Sequence, residues 1–234
     1  MKKLISILFI SGAVWAADNE IYVDQSGASS AIDLEQIGSG NLIGGLNAAA
    51  GNMTPLDLDG TSMTLDINQI GSSNIFRGDI TADSYTGYFN FSGSSNNFTM
   101  QTDPTNTYGA DTSDVNVDVT GSSNTFTLNQ ATSAMASTLD LDWTINGSNN
   151  SVTAAIDYDT ATNYMDIDGD DNTVTLDADG YAGGYFYLDQ TGSSRTFDIT
   201  QQSTLDNDWL KILSTGSNGT ICVNQDDGGS AVGC

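Results

Sequence analysis

A glycine set between two stretches of alternating polar and apolar residues recurs nine times along this chain of 234 residues: at Gly27, Gly38, Gly71, Gly93, Gly121, Gly147, Gly169, Gly192 and Gly216. After the first pair the spacings run 33, 22, 28, 26, 22, 23 and 24 residues. A period in the twenties marks a stacked array of small units, each unable to bury its apolar face alone.

The same offsets from the glycine are apolar in most copies. Four residues before it stand Val23, Leu34, Ile67, Phe89, Val117, Trp143, Met165, Leu188 and Ile212. Five after it stand Ile32, Ile43, Phe76, Phe98, Phe126, Val152, Val174, Phe197 and Ile221. Seven after it come Leu34, Gly45, Gly78, Met100, Leu128, Ala154, Leu176, Ile199 and Val223. Residues between them, such as Asp66, Asn68, Asp140, Asp142, Thr125 and Thr127, are polar. Period two on both sides of a turn means two strands, each with one buried face. The chain is therefore expected to be all-β, a β-solenoid of stacked strand-turn-strand repeats with two strands per coil. Loop insertions are expected at 47–62, 102–114 and 177–184.

Glycine supplies positive φ at the turn, and Ser and Asn tolerate left-handed backbone while bonding to it. Asn recurs three residues after the glycine, at Asn41, Asn74, Asn96, Asn124, Asn150 and Asn172. Rungs about 4.8 Å apart would let identical amides bond along the stack. Gln25, Gln36, Gln69 and Gln190, two residues before the glycine, are expected to form a similar ladder at the edge of the core.

The first residues, MKKLISILFISGAVWAA, have the layout of a secretory signal peptide, expected over 1–16. Without it the chain keeps only Arg77, Arg195 and Lys211 against thirty carboxylates, a formal charge of −27. Such a surface repels phosphates and anionic headgroups, so nucleic acid is excluded as a partner. Nothing is long and apolar enough for membrane insertion. The expected location is extracellular or on the cell surface. Cys222 and Cys234, the only cysteines, are expected to pair there and tie down the tail 226–234. With no histidine, Ser-His-Asp and Cys-His catalysis are unavailable, and the reading is not an enzyme.

The segments EQIGSGN (35–41) and NQIGSSN (68–74) carry Gln, any residue, Gly, two residues, Asn; DQSGASS, DQTGSSR, VTGSSN, INGSNN and IDGDDN keep parts of that pattern. The pattern resembles the curlin repeat of curli fibre subunits, over about 17–225. The resemblance implies a secreted structural subunit that self-assembles end to end into an extracellular, amyloid-like fibre or biofilm matrix. Its implied partners are further copies of itself, a related fibre subunit and a curli-type outer-membrane export pore. No cofactor is implied.

Two other readings stand beside it. DIDGDDNTVTLD (166–177) offers Asp166, Asp168, Asp170 and Asp177 as a calcium candidate, though Asp171 and Asp177 stand where a calcium loop wants Gly and Glu. Outward threonines, among them Thr99, Thr125, Thr127, Thr153, Thr173, Thr175, Thr196 and Thr220, suit a monomeric solenoid that binds ice or acts as an adhesin. Leu42, Ile75, Arg77 and Asp198 interrupt them. For assembly, 19–27 is expected to be the growth edge and the cysteine-tied C-terminus a cap.

Overall fold

The computed structural model describes residues 20–47, 52–54, 56–102, 112–130, 136–180, 184–203 and 209–227. Among these there are twenty strands and no helix. Eighteen of them form a β-solenoid of two stacked parallel sheets, and the other two a small antiparallel hairpin. The strand before each turn lies in one sheet, here sheet I, and the strand after it in sheet II. Sheet I runs Ser30–Ser39, Met63–Ser72, Ser84–Ser92, Thr112–Thr120, Ala136–Asn146, the second half of Ser151–Asp168, Tyr185–Thr191 and Trp209–Thr215. From the third rung onward sheet II runs Ile75–Ala82, Asn97–Thr102, Thr125–Gln130, the first half of Ser151–Asp168, Thr173–Gly180, Thr196–Ser203 and Thr220–Asp227.

Each inward offset read from the sequence becomes a column along the stack. Ile67, Phe89, Val117, Trp143, Met165 and Leu188 stand on consecutive rungs of sheet I, and each is at most 2% exposed. Phe76, Phe98, Phe126, Val152, Val174 and Phe197 face them from sheet II. Phe76 and Phe98 stack with centroids 5.0 Å apart, and Phe89 and Phe91 meet Phe98 edge-on at 5.3 and 5.2 Å. One buried cluster extends from Ile32 to Ile199. Burying each such Phe contributes roughly 1.5–3 kcal/mol, far more than any surface charge removes. This explains how so acidic a chain closes around a core.

The first coil departs from the regular count, and the sequence frame misplaces it in two ways. Gly27 pairs with Gly60, and Gly60 with Ala82, so Gly27 lies where the chain returns from sheet II to sheet I. It is not one of the turns, and Gln25 belongs to sheet II. The second correction concerns 47–62, expected to be a loop. An antiparallel hairpin, Gly45–Asn47 with Asn52–Thr54, interrupts the sheet II strand begun by Leu42–Ile43. Leu56–Gly60 then resumes it, so Leu56 rather than Gly45 precedes Gly78 in the inward column. The alternation in Leu56-Asp-Leu-Asp-Gly60 carried that signal. The hairpin lengthens this period to 33 residues and leaves the stacking intact.

Candidate functional site

Among the described residues eight turns close the coils. Their glycines have φ between +132° and +144°, and from the second turn on the residue two further along sits near +60°, as at Ser73, Ser123 and Asn149. That geometry aims the next residue, Asn, into the stack, where all six are buried. The Asn ladder differs from amide-on-amide pairing. Oδ1 of Asn74, Asn96, Asn124, Asn150 and Asn172 accepts the backbone N–H of the preceding coil's Asn at 2.9–3.1 Å. Nδ2 of Asn124, Asn150 and Asn172 donates to the preceding turn glycine's carbonyl at 3.3, 3.2 and 3.0 Å. Each amide thus staples the turn before it.

A second ladder, which the sequence reading did not single out, runs the other way. Oγ of Ser122 accepts from Ser148 N–H at 3.2 Å, Oγ of Ser148 from Asp170 N–H at 3.0 Å, and Oδ1 of Asp170 from Ser193 N–H at 2.6 Å. Its signal was the small acceptor directly after each glycine. Asn124→Ala removes an acceptor and a donor from buried backbone groups. It is expected to cost about 1–3 kcal/mol, read as a lower urea midpoint.

The glutamines form a shorter set. Gln69 donates to Gln36 Oε1 at 2.9 Å, and both reach sheet II carbonyls, Leu42 and Ile75, at 3.3 Å. Gln25, on sheet II, instead donates to Ser30 Oγ at 2.7 Å. Gln190 stands between Ile167 and Ser214 on neighbouring rungs and does not join the set. Where the seventh turn has Arg195 in place of Asn, the buried guanidinium reaches forward to Thr215 O at 3.0 Å and Ser214 Oγ at 2.5 Å. It lies against Gly219, the next turn's replacement for Asn; a Cβ there would meet Arg195 Nε at 3.2 Å.

The four calcium candidates are not brought together. Asp166 and Asp168 are on sheet I, Asp177 is on sheet II across the core, and Asp170 is engaged with Ser193. Among the described residues no group of three or more His, Cys, Asp or Glu is arranged to hold a metal.

Carboxylates line both outer faces, and several hold protons above the ordinary carboxylate range. For Asp57 the cause is partial desolvation on the sheet, then Asp59 and Asp24; for Asp142, desolvation, then Asp140 and Asp114. For Asp166 it is desolvation, then Asp189 and Asp168, and for Asp177 desolvation, then Asp179. A raised folded pKa gives stability that is complete below the unfolded value and lost as pH rises through the folded one. Tm is therefore expected to be higher near pH 4–5, roughly the carboxylate range, than near pH 7. Thermal melts at constant ionic strength measure it, and a fall in Tm on that acidification would contradict the assignment.

The two ends of the stack are unlike. At the C-terminal coil, Ile221 and Val223 end inward columns yet are 41% and 38% exposed, while Phe197 and Ile199 one rung below are fully buried. On sheet I of that coil the inward Leu210 and Ile212 are partly buried against the core. At the N-terminal coil, Leu34 is 1% exposed, and Ile21 and Val23 are partly buried against the core. Ile221 and Val223 are thus more exposed than Ile21 and Val23, while both terminal sheet II strands are paired on one side only among the described residues. Cys222 sits on the outer side of that last strand, which extends to Asp227, into the expected tail 226–234; Cys234, the rest of that tail and the expected leader 1–16 lie outside the described residues.

Two outer surfaces are ordered in register. On sheet II, Thr99, Thr127, Thr153 and Thr175 form one column, and Thr125, Ser151, Thr173, Thr196 and Thr220 the next. On sheet I, Tyr164 stacks on Tyr187 at 4.8 Å and Tyr185 on Trp209 at 4.2 Å, with Lys211 Nζ 4.9 Å from the Tyr187 ring centre.

No protein-family model, curated protein or solved structure matches this chain.

Proposed function

We propose that the protein is an exported structural subunit that assembles end to end into an extracellular, curli-like fibre or matrix, and that its role is not catalytic. The observation that carries this reading is the C-terminal coil. Its inward residues Ile221 and Val223 are half-exposed, on an edge strand that is paired on one side only among the described residues. An uncovered parallel edge with an apolar face is a template for another strand. Parallel strands stacked in register repeat about every 4.8 Å, a spacing that end-to-end growth would carry on along a cross-β fibre. A related subunit that nucleates growth and an outer-membrane pore that exports the unfolded chain are the partners this reading calls for.

Purified residues 17–234, held for days at micromolar concentration and imaged by negative-stain electron microscopy with and without calcium, test it. Unbranched filaments in both conditions are expected. Discrete monomers throughout would overturn it.

The second reading, a monomeric ice-binding or adhesin solenoid, is favoured by the paired threonine columns of sheet II. They present hydroxyl and methyl groups in a regular array. Thermal hysteresis, or binding to glycans by the monomer, would support that reading over the first.

A further inference from the structure

We propose that successive copies join through sheet II, with Glu20–Gln25 of one copy laid in parallel register on Thr220–Gln225 of the next. This inference rests on the fibre reading above and specifies its joint.

The two end strands carry the same pattern. Glu-Ile-Tyr-Val-Asp-Gln at 20–25 is matched by Thr-Ile-Cys-Val-Asn-Gln at 220–225. The match is also one of position in the fold. Ile21 pairs with Ile43 and Ile43 with Phe76, opening the inward column that Ile221 closes. Gln25 pairs with Leu58, opening the column that Gln201 and Gln225 close. Val23 bonds through its carbonyl to Asp57 N–H at 3.0 Å, which places it beside Leu56 in the column that ends at Val223. Laid on one another, the two ends set Ile on Ile, Val on Val and Gln on Gln.

The polar groups fit as well. Gln225 donates to Gln201 Oε1 at 3.4 Å, and an amide that donates can still accept from Gln25 of the neighbouring copy. Asp24, Asp57 and Asp79 occupy consecutive rungs within one copy. Across the joint, Asp24 instead meets Asn224, and Glu20 meets Thr220. A chain of such net charge thus meets its neighbour without a like-charged pair among these residues. The repetition continues in sequence, for Ser30-Ala31-Ile32 recurs as Ser230-Ala231-Val232.

A double-mutant cycle on seeded filament elongation tests the register. Asn224→Asp sets a carboxylate opposite Asp24 and is expected to slow elongation about two- to five-fold, the scale of a like-charged cross-strand pair. In a chain that also carries Asp24→Asn, the same Asn224→Asp change is expected to have no effect. If wild-type filaments grow but Asn224→Asp slows them equally in both backgrounds, or in neither, this joint is wrong while the fibre reading stands. If the wild-type chain forms no filaments, both fall together.

Discussion

Gly147→Ala is expected to destabilise the folded chain by at least ~4 kcal/mol, in the exceptional range for a single substitution. Two causes coincide at this residue. Its φ is +144°, and the added Cβ would stand 1.9 Å from the carbonyl oxygen of Gly121 in the preceding coil. Backbone in this region is close to glycine-only, and the contact cannot relax without separating two coils. Gly27→Ala is the control, since a Cβ there meets nothing within 4 Å and its φ is not positive. It is expected to be neutral or slightly stabilising, within about 1 kcal/mol. Urea unfolding of the two variants beside the wild type gives the comparison. Equal losses at both positions would mean that the turns are not built as described.

Val223→Asp is expected to leave the monomer folded and to stop filament extension. In the single copy Val223 is 38% exposed, so a carboxylate there keeps much of its water. In a joint it would be enclosed against an apolar residue without a partner, which costs at least about 3 kcal/mol, or on the order of 100-fold in association. Thr173→Asp adds the same charge on the outer face midway along sheet II, away from either end. It is expected to leave extension within a few-fold of wild type. Far-ultraviolet circular dichroism confirms folding and seeded elongation measures the block. Wild-type extension by Val223→Asp would remove the C-terminal coil from the mechanism.

Most of the fold was legible because burial in a stacked array depends on position within the repeat. Phe76, Phe98 and Phe126 lie five residues after their glycines in the sequence and in one column in the structure. The first coil was not legible in the same way. Gly27-Ala-Ser-Ser30 reads like a turn, yet it forms the return corner, and only its partner Gly60 distinguishes the two. The hairpin that splits the second sheet II strand breaks the local count, which hides the strand Leu56–Gly60 from the repeat frame. The ladders were visible as recurring residue types, but not in their direction. That Asn reaches back while Ser reaches forward depends on the left-handed residue between them. The greater exposure of the C-terminal coil is not legible, because sequence gives the apolar pattern of Ile21 and Ile221 alike and gives nothing of their exposure.

The central claim is end-to-end growth that continues the solenoid. X-ray diffraction from aligned filaments, with the axial subunit repeat taken from the same filaments by cryo-electron microscopy, tests it most directly. Among the described residues sheet II has nine rungs and sheet I eight. The account therefore gives a meridional reflection near ~4.8 Å and a subunit repeat of about 43 Å, one copy for every nine rungs. Filaments with a repeat unrelated to the rung spacing, or with strands parallel to the filament axis, would contradict it.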